Sequence, residues 1–220
     1  MSSVVISGDT SGAITLAASA VAGTNTITLP SATGNAVVDS ATQTLTSKTL
    51  TSPTITGAVV SSMASSVITS GTAQNSTSGT SIDFTSIPSW VKRITVMFNG
   101  VSTSGSSNYL VQVGSGSVTT TGYLSAYFQA SGTNSVANST VGFQINNGTG
   151  AGNIEHGHVV ITQVSGNNWT ASGTLGESDT TRMQFLAGSI ALGGTLDRVR
   201  ITTVNGTDTF DAGSINILYE

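Results

Sequence analysis

Long helices need residues that this chain barely contains. Its lysines are Lys48 and Lys92, and its glutamates are Glu155, Glu177 and Glu220, in 220 residues. Straight-chain charged residues lose little rotamer freedom in a helix and supply its wet face, so a chain this short of them cannot build amphipathic helices in number. Ser, Thr, Asn, Val and Ala dominate instead, with 26 glycines. Thr and Val suit a pleated surface, while Gly, Asn and Ser suit turns. The expected class is all-β. Disorder is the competing reading of such a bias, but disordered chains combine low hydrophobicity with high charge. Here 37% of residues are hydrophobic and 7% are charged, so a buried core is within reach.

A surface this poor in charge fits a protein fixed in an assembly, because a free monomer relies on charge for solubility. The formal net charge is −4, and the densest basic pairs are Lys92-Arg93 and Arg198 with Arg200. Neither is the basic footprint that nucleic acid requires. The chain has no cysteine, which excludes a disulfide framework, a thiolate metal site and thiol chemistry. Met1-Ser2-Ser3-Val4 has no basic start ahead of an apolar run, so no signal peptide is expected. No apolar run approaches the roughly 20 residues of a membrane span, so no membrane insertion is expected.

Two regions differ in kind. Residues 1–69 contain no aromatic residue and struggle to build a core of their own. Within them Thr44-Leu45-Thr46-Ser47-Lys48, Thr49-Leu50-Thr51-Ser52-Pro53 and Thr54-Ile55-Thr56-Gly57-Ala58 form a short repeat. Leu45, Leu50 and Ile55 recur at a step that fits neither a helix nor a simple alternating strand. Short extended pieces joined by kinks fit it better, as in a wound β-fibre, and units that cannot bury themselves alone imply intertwining with copies. A flexible Ser/Thr linker is the plainer alternative. Upstream, Ile14-Thr15-Leu16 and Thr26-Ile27-Thr28-Leu29 read as two short strands around a Gly23-Thr24-Asn25 turn, and a short helix is read around Met63-Ala64.

After a polar hinge at residues 71–79 the pattern changes, and strand candidates follow at 92–98, 109–113, 122–129, 141–146, 158–164, 169–175, 182–192, 196–204 and 214–219. Asn99-Gly100 and Asn205-Gly206 are hairpin signals, since both central residues of a type I′ turn need positive φ. The expected organisation is a repeat-containing attachment region and fibre stem over 1–69, then a β-sandwich head of jelly-roll type over 70–220.

The segment from Ile6-Ser7-Gly8-Asp9 to Thr28-Leu29-Pro30 resembles the amino-terminal part of many bacteriophage tail-fibre and minor virion structural proteins. Leu45-Thr46-Ser47-Lys48-Thr49-Leu50-Thr51-Ser52-Pro53-Thr54-Ile55 resembles the "LTNKTLTSPTI" repeat of such fibres. Residues 81–101 and the ending Ser214-Ile215-Asn216-Ile217-Leu218-Tyr219-Glu220 look like the carboxy-terminal domain often attached to them. The resemblance implies a homotrimeric fibre on the virion surface, joined to tail, baseplate or capsid proteins and touching a host glycan or protein. It implies no catalytic residue and no cofactor. The family includes capsid subunits, so a decoration or head-fibre role is the alternative.

Candidate chemistry is sparse. Glu155-His156-Gly157-His158 holds the only two histidines, and an His-x-His step on a strand puts both rings on one face. Three such pairs around a trimer axis would offer six nitrogens to a transition metal, as the iron-bearing tips of some phage spikes do. The run into Val159-Val160-Ile161 favours exposed or structural histidines instead. Glu177 with Asp179, and Asp208 with Asp211, offer carboxylate pairs for a polysaccharide-degrading tailspike, a third reading. They sit in Gly/Ser/Thr-rich turns, where Asp commonly caps backbone. Of the aromatics, Tyr123 and Tyr127 share a strand face opposite Phe128 and are the best candidates for an exposed receptor contact. Trp90, after Pro88, is expected to plug the sandwich.

Overall fold

The structure is a computed structural model. It describes the backbone of Ser3–Ser7 and Ala13–Ala17, then Thr49, Thr51 and residues 68–145 and 150–220. The chain forms two compact units, Met1–Val59 and Val60–Glu220. In the first, β1 (Ser3–Ser7) and β2 (Ala13–Ala17) pair antiparallel, with Ile6 opposite Ile14 and Val4 opposite Leu16. The expected strand at Ile14-Thr15-Leu16 thus exists, with Ser3–Ser7 as its partner. Residues 26–29, the repeat with Leu45, Leu50 and Ile55, and the helix expected at Met63-Ala64 lie outside the described residues.

The second unit is all-β, with no helix among the described residues. Its strands are β3 (Thr69–Ser70), β4 (Gln74–Asn75), β5 (Ser81–Thr85), β6 (Arg93–Thr103), β7 (Tyr109–Ser115), β8 (Ser117–Val118), β9 (Leu124–Ala130), β10 (Ser135–Ser139), β11 (Phe143–Ile145), β12 (Glu155–Ser165), β13 (Asn168–Glu177), β14 (Arg182–Ala191), β15 (Arg198–Thr203) and β16 (Phe210–Tyr219). They form a nine-stranded sheet, β10-β9-β14-β13-β12-β6-β16-β3 with β4 also on β16, and a five-stranded sheet, β11-β7-β15-β5 with β8 on β7. Neighbours run antiparallel throughout. The expected boundary at residue 70 falls just inside this unit, because Thr69 pairs with Tyr219 and Ser70 with Leu218.

Period-two alternation builds the core. Ile94, Val96 and Phe98 of β6, Val159 and Ile161 of β12, Trp169, Ala171 and Leu175 of β13, and Ile215 and Ile217 of β16 are buried from the large sheet. Val111 and Val113 of β7, Val199 and Ile201 of β15, and Ile82 and Phe84 of β5 join them from the small one. Burying a side chain of this size contributes roughly 1.5–3 kcal/mol, and neither sheet can bury its own face without the other.

Every expected strand from 92 onward has an observed counterpart, but two hairpin signals act differently. Asn99-Gly100 lies inside β6, where the register against β12 slips: Val101 faces Glu155 and Asn99 faces His156. Gly100 has φ 67° and Gly213 on β16 has φ 88°, and a Cβ on Gly213 would lie 2.2 Å from the Gly100 carbonyl oxygen. The pair is a β-bulge in which two backbones meet, not a hairpin turn. Asn205-Gly206 does turn the chain. The Asn205 side-chain oxygen accepts from the amides of Thr207 (3.0 Å) and Asp208 (3.2 Å). The flanking strands β15 and β16 belong to different sheets, so this turn is a crossover. Trp90 is a further correction. It is half-exposed, its ring 5.8 Å from Tyr219, while Val91 beside it takes the buried position.

Candidate functional site

The aromatic pair expected on the surface faces inward. In β9 and the residue before it, Tyr123, Ser125 and Gln129 are buried, whereas Leu124, Ala126 and Phe128 are exposed. Tyr123 and Tyr127 do share a face, but it is the core face, and sequence alternation does not say which face meets the core. Tyr123 is fully buried, edge-on to Phe143 at 5.0 Å. Its hydroxyl accepts from the Val113 amide (2.8 Å) and donates to the Thr119 carbonyl (3.0 Å). Burial pushes the phenol up to about 12. Tyr123 is therefore a core residue and no part of an exposed surface. Tyr127 is half-buried and lines a cleft.

That cleft, about 740 Å³, opens at one end of the large sheet. Tyr127, Gln129, Asn134, Thr181 and Arg182 line it with Asn108. Amide, hydroxyl and guanidinium groups around one tyrosine can hold a hydroxyl-rich ligand by hydrogen bonds. Behind it lies a buried polar cluster. Glu155 and Glu177 are opposed across β12 and β13, and Gln184 of β14 sits beside them. Gln184 Nε2 donates to Glu155 Oε1 (2.6 Å) and to Glu177 Oε1 (2.9 Å). Glu177 Oε2 accepts from Thr180 Oγ1 (2.5 Å) and Arg182 Nη1 (3.0 Å). Burial raises the Glu155 carboxyl to about 8, against its Gln184 hydrogen bond, with the charges of Glu177 and Asp179 adding to the rise. Tyr109 approaches from the small sheet, and burial raises its phenol too.

Sequence reasoning took Glu177 with Asp179 and treated Glu155 as a flank of the histidines. The structure pairs Glu177 with Glu155, while Asp179 accepts the Ile154 amide (3.0 Å). The signal was available in the alternation: Glu155 shares parity with Val159 and Ile161, so it must face the core. Asp208 and Asp211 part company as well. Asp208 accepts the Ser107 amide and the Asn205 side chain, and Asp211 accepts the Ser102 hydroxyl.

His156 and His158 share the exposed face of β12, and His156 Nδ1 accepts the Gly100 amide (3.2 Å). Among the described residues no group of three or more His, Asp or Glu gathers as metal ligands would. No described helix is long and apolar enough to cross a membrane.

The outward face of the large sheet is the second notable surface. Leu124 is 73% exposed, Val136 71%, Met183 45%, Phe185 44% and Phe128 38%. Phe128 stands opposite both Val136 and Phe185, with rings 6.2 Å apart in the Phe128–Phe185 pair. A hollow of about 460 Å³ among Leu124, Ala126, Asn138, Thr140, Ala187 and Gly188 continues the patch. Nothing in the sequence reading singled out Val136, Met183 or Phe185, because an alternating strand hides which of its apolar residues are left outside. Compared with family models, with curated proteins and with solved structures, the chain matches none.

Proposed function

We propose that this chain is a structural subunit of a bacteriophage virion, a homotrimeric surface fibre whose head meets a host glycan or protein. Its stem, residues 1–69, attaches to other virion proteins and intertwines through Leu45, Leu50 and Ile55, and its head is a jelly-roll-like sandwich. The observation that carries the assembled state is the outward face of the large sheet. From β10 to β12 its outward positions hold no Asp, Glu, Lys or Arg, and six large apolar side chains, Val164 of β12 among them, stand exposed there. A contiguous apolar patch on a soluble domain marks a surface that is covered in use. The motif resemblance in the first third of the chain supports the virion setting. The cleft beside Tyr127 is where the chemistry suits a glycan.

The same uncharged face would also suit a subunit lying on a capsid, which supports a head-decoration role as the second reading. A polysaccharide-degrading tailspike draws no support from the carboxylates. Glu155 and Glu177 are buried behind Gln184, and a glycosidase pair must reach its substrate. Light scattering of the full-length protein tests the assembly. A trimer at micromolar concentration is expected, and a clean monomer overturns the fibre reading. Fitting the chain into a map of the whole particle separates tail from capsid.

A further inference from the structure

The Glu155–Gln184–Glu177 cluster has a hydrogen-bond count that does not close with both glutamates ionised. A side-chain amide has two N–H donors and one carbonyl acceptor. Both Gln184 donors are used, one on each carboxyl group. Two buried oxygens then lack a donor among the described residues, Gln184 Oε1 and Glu155 Oε2. A buried acceptor left unmatched keeps its full desolvation penalty, so two of them in one cluster count heavily against that protonation state. Turning the Gln184 amide over would not help, because its oxygen would then face two carboxyl groups and require a proton on both.

One proton resolves the cluster, and its place is fixed by the neighbours. Glu177 Oε2 already takes the Arg182 guanidinium and the Thr180 hydroxyl, so Glu177 is the anion. Among the described residues no cation pairs directly with Glu155, and no hydrogen bond reaches its Oε2. We propose that Glu155 is a neutral carboxylic acid in the folded protein at pH 7, its Oε2–H donating to Gln184 Oε1 while Gln184 Nε2 donates back to Glu155 Oε1. The result is a cyclic acid–amide pair between β12 and β14, with β13 contributing the ionised partner. The surrounding charges agree. Glu177 and Asp179 disfavour a second anion, Arg182 opposes them, and from the small sheet Tyr109 presents a phenol whose ionisation is disfavoured chiefly by its burial. His156, next in sequence, points to the opposite face of β12.

The proton makes folding depend on pH. The folded carboxyl titrates near 8 and the unfolded one near 4.5, so between those values the folded state holds one proton more. Stability from this group is full below the unfolded value and is lost as the pH rises towards 8, by about tenfold in the unfolding equilibrium per pH unit. Above 8 two anions share one amide, and the Thr180–Arg182 rim of the cleft hangs on the same cluster.

Infrared spectroscopy of the full-length protein tests this. The wild type should show the carbonyl band of one protonated carboxyl per chain at pH 7, fading at alkaline pH. The band should vanish in Glu155→Gln and persist in Glu177→Gln. The wild type should also lose stability from pH 5 to 8 more steeply than Glu155→Gln, whose amide can still pair with Gln184. Absence of the band in wild type at pH 7 overturns the proposal, as does its survival in Glu155→Gln. Should that variant not fold, the wild-type band and its retention in Glu177→Gln decide.

Discussion

The two broad faces of the second unit treat charge in opposite ways. The small sheet turns ion pairs outward: Arg200 binds Asp83 through two bonds of 2.7 and 2.9 Å across β15 and β5, and Arg198 binds Asp197 at 2.7 and 3.2 Å. The large sheet turns outward Leu124, Phe128, Val136, Val164, Met183 and Phe185 among Ser, Thr, Ala, Gly and two histidines; its Arg93–Glu220 pair, at 3.1 Å, stands at the start of β6, and its Arg182–Glu177 pair reaches into the buried cluster. The chain has few charges, and the difference shows that they are also unevenly placed. Charge on a sheet face or edge discourages pairing with another copy, and its absence removes that barrier. On the function proposed above, the small sheet is the face left in water and the large sheet the one that is covered.

The sharpest way to break this comparison is to weigh an inner residue against an outer one of the same kind. Phe143 of β11 is fully buried and meets Tyr123 edge-on. Phe143→Ala should cost about 3–5 kcal/mol in denaturant unfolding, the range for an aromatic lost from a packed core. A cost near that of an exposed position would mean that the two sheets do not share the core described above.

The small sheet's ion pairs should matter far less. Asp83 and Arg200 are each more than a third exposed, so solvent screens them. Asp83→Asn should cost no more than about 1 kcal/mol, and the loss should shrink in high salt. A cost of several kcal/mol that ignores salt would show that this face is covered as well, and the contrast between the faces would fail.

How far the sequence foretold these faces depends on what alternation can carry. Of the strands from β6 to β16, all but β8 and β10 were legible, because runs such as Ile94, Val96 and Phe98, or Val199 and Ile201, repeat with period two between turn residues. The short β3, β4 and β8 were not, since two residues carry no period, and β10 was missed because Ser135-Val136-Ala137-Asn138-Ser139 has a single large apolar residue. Asn99-Gly100 misled because positive φ serves a bulge as well as a turn. At the candidate site, parity placed Tyr123 with Tyr127 correctly and the histidines correctly on one face. It could not say that the tyrosine face looks inward, which only the packing of the second sheet decides. The Glu155–Gln184–Glu177 cluster comes from three consecutive strands, β12, β13 and β14; parity places Glu155 on the core face, but the pairing register that sets Glu177 opposite it is carried by no single strand.

The smallest effect on folding should come from the outer face of the large sheet, and there the comparison is most informative. Leu124→Ser and Val136→Ser remove apolar side chains that remain largely in water within one chain. A side chain that stays exposed loses little transfer free energy when truncated, so each change should alter unfolding by less than about 0.5 kcal/mol where the chains are separate. Both residues lie on adjacent strands, Leu124 in β9 and Val136 in β10 opposite Phe128, so they belong to one surface rather than to two accidental exposures. If that surface meets another subunit or a virion protein, the same changes should weaken assembly markedly while the far-ultraviolet circular dichroism stays that of wild type. Sedimentation of the double variant across a concentration series reads this directly. Unchanged assembly together with unchanged stability would mean that the patch covers nothing, and the reading of the large sheet as the covered face would have to be abandoned.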